Sequence, residues 1–140
     1  MQIRYSLDEV PQVAQKLLSM FDRYKIFTFT GTLGAGKTTL IRTVLQQAGV
    51  KEVITSPTFT YVNVYTLDYD RTFYHFDLYR LKNMNDFVAA GFDEYLYAPN
   101  SWSLIEWPEV IMPLLHSHVC HCTIEYADHE RLLTYTIPEL

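Results

Sequence analysis

At 140 residues, 49% apolar and 19% charged, the chain has the composition of one globular domain with a real core and not of a disordered segment. Its formal net charge of -5 implies no broad basic surface, which argues against nucleic-acid binding by bulk electrostatics. No stretch is apolar for long enough to cross a bilayer, and the first six residues lack a signal peptide's apolar core, so a cytoplasmic protein is expected.

Ser6-Leu7-Asp8-Glu9 has the S-x-x-E form of a capping box, and Val10, Val13, Ala14, Leu17, Leu18 and Phe21 follow at helical spacing. An amphipathic helix over residues 7–22 is predicted, with Pro11 delaying its regular part. Residues 25–30 are a β-branched and aromatic strand candidate. They lead into Gly31-Thr32-Leu33-Gly34-Ala35-Gly36-Lys37-Thr38, which fits G-x-x-x-x-G-K-[ST], and residues 39–47 then carry helical spacing up to a left-handed cap at Gly49. Strand, loop and helix stand in the order a phosphate-binding loop requires. Gly34 and Gly36 let the backbone take positive φ and bring successive N–H groups toward phosphate oxygens, and the helix adds its positive end. Lys37 then reaches the β- and γ-phosphates, and Thr38 offers a hydroxyl to the accompanying magnesium. The implied ligand is a nucleoside triphosphate.

Ser56-Pro57-Thr58 opens an alternating strand over residues 59–67, residues 68–71 turn, and residues 72–77 return as the second arm of an antiparallel hairpin. Asn85 is the expected cap of a short helix through Ala90, stopped by Gly91. Residues 102–105 form a buried-type strand ending in Glu106-Trp107-Pro108. Two last strands are expected around residues 118–126 and 131–137, joined at residues 127–130. The run His116-Ser117-His118-Val119-Cys120-His121-Cys122 invites a metal reading, but zinc ligands usually come as two separated pairs and the second is missing. An ordinary strand with small buried thiols is the better reading, with His118, Cys120 and Cys122 on one face. No repeat or linker divides the chain. The expectation is a single α/β domain over residues 1–140, a three-layer fold like that of P-loop NTPases, with a mixed sheet, parallel at its centre and with antiparallel additions.

A phosphate loop alone gives binding; hydrolysis also needs a carboxylate at the end of a neighbouring strand to hold magnesium, and a group that senses the γ-phosphate. Glu106 and Asp77 both end strands, and either also reads as a solvated strand-end acid. Thr58 has the place of a switch residue whose hydroxyl meets magnesium, or of a plain strand-edge threonine.

Taken together, residues 31–39, Ser56-Pro57-Thr58-Phe59, His75-Phe76-Asp77-Leu78-Tyr79-Arg80 and Ile105-Glu106-Trp107-Pro108 resemble the TsaE family, bacterial ATPases of threonylcarbamoyladenosine biosynthesis. The match runs in order from about Ser6 to Pro108 and weakens beyond. The resemblance implies a small P-loop ATPase that joins TsaB and TsaD, the latter loading threonylcarbamoyl onto adenosine 37 of tRNAs reading ANN codons. ATP binding and hydrolysis then support assembly and turnover of the complex, and tRNA is met only through it. Carried over by position, Gly34, Ala35, Gly36, Lys37, Thr38 and Thr39 hold the phosphates, and Thr38 and Glu106 hold magnesium. Asp77 lies near the metal or the attacking water, Thr58 belongs to the other switch, Ser6 approaches the base, and Arg131 is a late basic contact. Trp107 neighbours the site. Thr32 departs from the pattern, standing where the family usually carries an acid, and so removes a charge beside the phosphates. Tyr79 and Arg80 read either as core contacts or as a surface for a partner.

Three other readings use the same loop. A small-molecule or nucleoside kinase normally needs an arginine-rich lid, and no arginine cluster follows the middle of the chain. A GTP-dependent switch needs an N-K-x-D motif, which is missing. A nucleotide-stabilised scaffold without turnover is kept open by Thr32.

Overall fold

The computed structural model, in which residues 1–32, 34–57, 59–67 and 70–136 are described, joins seven strands in one sheet. They are β1 (Gln2–Tyr5), β2 (Ile26–Gly31), β3 (Val62–Thr66), β4 (Thr72–Asp77), β5 (Ser101–Glu106), β6 (Val119–Ala127) and β7 (Glu130–Thr136), in spatial order β1-β7-β6-β2-β5-β4-β3. The central strands β6, β2, β5 and β4 are parallel, while β3 pairs antiparallel with β4 and the β1-β7 pair is antiparallel beside β6. Because side chains alternate across a strand, each central strand feeds two cores. Phe27, Phe29, Phe73, Leu104, Cys120 and Cys122 face helices α1 (Val10–Leu18) and α2 (Lys37–Ala48). Ile26, Phe76, Ile105 and Val119 face the opposite side, with Phe87 of helix α3 (Met84–Ala89) and Ile111 of the 3-10 segment Pro108–Leu114. The three-layer α/β expectation therefore holds.

Several local readings change. The first helix begins as a 3-10 turn, Leu7–Glu9, and its α-helical part ends at Leu18, four residues short of the expected end. Beyond it the chain tightens into i→i−3 turns, and the Phe21 carbonyl accepts the Trp102 indole N–H at 2.7 Å instead of continuing the helix. That lets the Phe21 ring pack on Phe27, Phe73 and Trp102. Strand β3 starts at Val62 and not at Phe59, because Tyr61 has a positive φ of 67° and its N–H bonds back to Pro57. The cap of α3 is Asn83 and not Asn85: the Asn83 Oδ1 accepts the Asp86 N–H at 2.9 Å, the geometry of an N-cap to N3 bond. Gly91 does leave that helix in the left-handed region, at φ 81°. His118 lies outside β6 with φ 56°, so it does not join the face of Cys120 and Cys122, both fully buried free thiols. Strand β1 was not foreseen. Of the predicted turn at 68–71 and the strand end at 137, residues 68, 69 and 137 lie outside the described residues.

Gly31, the last residue of β2, takes φ 131°, and a Cβ on it would collide with the Ile124 carbonyl oxygen of β6. Neither the dihedral nor the contact tolerates a side chain. Gly31→Ala is expected to cost about 2 kcal/mol or more, read as a melting temperature lowered by several degrees in thermal denaturation.

Candidate functional site

The parallel strands β2, β4 and β5 deliver their carboxyl ends to one edge, the place where open α/β sheets hold ligands. From Gly31 the chain turns through a bond from the Ala35 N–H to the Thr32 carbonyl, and Gly36, at φ 101°, caps α2. A Cβ on Gly36 would meet nothing within 4 Å, so it is the left-handed backbone and not lack of space that calls for glycine there. Two side chains of the β6-β7 hairpin take the loop's carbonyls from behind. The Tyr126 hydroxyl donates to the Gly34 carbonyl at 2.9 Å, and Arg131 Nε donates to that of Ala35 at 3.1 Å. The Arg131 guanidinium also lies 4.1 Å over the Tyr126 ring.

The cavity beside this loop measures about 360 Å³ and is lined by Gly34, Gly36, Lys37, Thr38 and Thr39 on one side. Ser56, Asp77, Tyr79, Glu106 and Trp107 line the other. Lys37 is almost wholly buried, its ammonium donating to the carbonyls of Gly31 at 2.8 Å and Thr32 at 3.1 Å and lying 4.1 Å over the Trp107 ring. Burial pushes its pKa below the ordinary lysine value, opposed by the negative charges of Glu106, Glu109 and Asp77. Trp107 itself sits in the left-handed region at φ 56° and touches Tyr79, ring centroids 5.0 Å apart.

Thr38 is the second residue of α2, Glu106 closes β5, and the Thr38 hydroxyl donates to Glu106 Oε1 at 2.7 Å. Asp77 closes β4 directly opposite Glu106 in the strand register. Its oxygens accept the Tyr79 N–H and the Ser56 hydroxyl, each at 3.1 Å. Behind Glu106, His75 Nε2 meets Oε2 at 2.7 Å. Two carboxylates and a hydroxyl are hard oxygen donors, which suit magnesium. Among the described residues no group of three or more His, Cys, Asp or Glu forms a self-contained metal site, so phosphate oxygens and water would have to complete the shell.

Of the residues singled out from the sequence, Gly34, Gly36, Lys37, Thr38, Thr39, Asp77 and Glu106 thus line one cavity, while Ala35 is buried beneath the loop. Ser6 does not line it: its N–H and hydroxyl both donate to Glu9 Oε1 at 3.0 Å. It follows Tyr5, which pairs with Arg131, and Arg131 likewise contacts the loop from outside the cavity. Thr58 lies outside the described residues. Sequence reasoning passed over Tyr126 and the partnership of His75 with Glu106. The first continues the even-numbered face of Cys120, Cys122 and Ile124, and the second was visible only as a histidine two residues before Asp77.

The family model described as threonylcarbamoyl adenosine biosynthesis protein TsaE matches residues 5–133. The chain belongs to the TsaE family. A relative from Rickettsia conorii named tRNA threonylcarbamoyladenosine biosynthesis protein TsaE is 34% identical over 129 residues, covering 91% of this chain and 72% of the relative. The TsaE of Haemophilus influenzae is 37% identical over 119 residues, covering 84% and 74%. The crystal structure of Bacillus subtilis YdiB superposes with a TM-score of 0.73 at 28% identity, covering 96% of this chain and 83% of that one. The TsaE match spans every cavity residue named above, and it reaches Tyr126 and Arg131 near its end. No helix among the described residues is long and apolar enough to cross a membrane.

Proposed function

We propose that this chain is a weak, magnesium-dependent ATPase of the machinery that installs N6-threonylcarbamoyladenosine at position 37 of tRNA. In this reading it acts in the cytoplasm with TsaB- and TsaD-type proteins, supports assembly and turnover of their complex, and leaves the transfer chemistry to the TsaD-type partner. The observation that carries the nucleotide reading is the 2.7 Å bond between Thr38 and Glu106 across the mouth of a glycine loop that also holds Lys37. Membership of the TsaE family supports the biosynthetic role.

The loop amides and the start of α2 provide the positive field for the phosphates, with Gly34, Ala35, Gly36, Lys37, Thr38 and Thr39 as the binding segment. Lys37 exchanges carbonyl partners for phosphate oxygens. Thr38 and Glu106 hold magnesium, with Asp77 beside them to bind the metal or orient the attacking water; Thr58 is assigned the role of switch. Magnesium supplies Lewis-acid stabilisation of charge developing on the transferred phosphoryl group. Ser6 is assigned to the approach to the nucleotide base and Arg131 to a late basic contact.

Phosphate release from the purified protein, alone and with TsaB- and TsaD-type partners, tests this directly. Slow release that rises with the partners is the expected result. Nucleotide binding without release under either condition would favour the scaffold reading that Thr32 supports, and phosphate appearing on an added metabolite would favour a kinase.

A further inference from the structure

We infer that His75 is a positioning residue for Glu106, a role that rests on Glu106 being a magnesium ligand as proposed above. Both side chains are buried, at 0% and 3% exposure, and His75 Nε2 lies 2.7 Å from Glu106 Oε2. The other oxygen, Oε1, receives the Thr38 hydroxyl at 2.7 Å. One carboxylate oxygen is thus held by the buried imidazole while its twin meets Thr38 of the cavity lining. The strand register makes this possible. His75 and Asp77 project from the same face of β4, and Asp77 pairs with Glu106, so the imidazole sits one pleat back from the acid it holds.

Facing a carboxylate, Nε2 must carry a proton and donate it. Nδ1 is buried with no partner among the described residues. The ring is sunk in the α1-α2 core beside Phe73, and leaving Nδ1 unpartnered there is a cost that filling space alone does not call for. What the histidine contributes is a fixed carboxylate. A strand-end acid without that bond samples several rotamers, and a metal ligand must then be ordered at the moment of binding.

The test compares ATP affinity in EDTA and in magnesium, and the magnesium concentration at half-saturation, for the whole chain. Relative to wild type, His75→Leu is expected to leave affinity in EDTA within about twofold while raising the magnesium half-saturation about tenfold. His75→Gln, whose amide N–H reaches the place of Nε2, is expected to restore it. Should the leucine variant fail to fold, His75→Asn replaces it, because its shorter amide falls short of Glu106. A magnesium half-saturation unchanged in the leucine variant, or in the asparagine variant that replaces it, would overturn the role of His75. So would equal losses with and without the metal, the mark of mere loosening. Absence of any magnesium effect in the wild-type protein would instead remove the role of Glu106, and with it this inference.

Discussion

Lys37→Ala is expected to weaken ATP binding by about two orders of magnitude, measured by calorimetric titration in the presence of magnesium. The lysine ammonium already bridges two loop carbonyls, those of Gly31 and Thr32, and Lys37 lines the cavity beside the loop. Phosphate oxygens are stronger acceptors than carbonyls because they are charged, and hydrogen bonds to charged groups contribute about 1.5–3 kcal/mol each. Loss of about 3 kcal/mol corresponds to roughly 150-fold in the dissociation constant. The substitution also exposes the loop carbonyls to water and removes the cation held over Trp107, so a melting curve should accompany the titration to show that the fold survives. Unchanged affinity in a folded variant would refute the phosphate-loop assignment.

Glu106→Ala is expected to spare much of the ATP binding and to lower turnover about a hundredfold. In the proposed reading the loop and Lys37 would hold the ground-state phosphates, whereas stabilising the charge of the transition state would depend on the metal that Glu106 would help to hold. A barrier raised by about 2.7 kcal/mol gives that factor. Because the truncation strands His75 in the core, it should also lower stability by about 1–3 kcal/mol, the cost of an unsatisfied buried polar group. Glu106→Gln separates the two effects. Its amide can still bond Thr38 and His75, so it should keep most of the stability while losing the negative charge and the rate. Affinity falling in parallel with turnover would mean that Glu106 acts in binding and not in the chemical step.

The parts of this protein that could be read from its sequence are those with local causes. The β2-loop-α2 unit was legible because glycine, lysine and threonine sit at fixed spacing between two periodic segments, and Gly49 ends the helix as a left-handed cap at φ 115°. Glu106 and Asp77 were legible as strand-end acids, although only the register between β4 and β5 shows that they stand side by side. Features with distant causes were not legible. Strand β1 is four residues long and exists because β7, over a hundred residues later, offers it an edge. The end of α1 is decided by Trp102, whose indole claims the Phe21 carbonyl. At α3 both asparagines are plausible caps by residue type, and Asn83 is the one whose side chain reaches the N–H of Asp86 as Phe87 enters the core. The bond from Arg131 to the Ala35 carbonyl has a distant cause as well, since it joins two residues almost a hundred apart in the chain.

The pairing of β1 with β7 bears on how the molecule is made. Met1 and Tyr135 exchange backbone bonds, the Tyr135 N–H donating to the Met1 carbonyl at 2.9 Å and the terminal ammonium donating to the Tyr135 carbonyl at 3.2 Å. The opening strand must therefore wait, unpaired, until β7, more than a hundred residues later, has emerged from the ribosome. The same late strand brings Arg131 to Ala35, so the glycine loop, synthesised well before it, gains this brace only once β7 has docked.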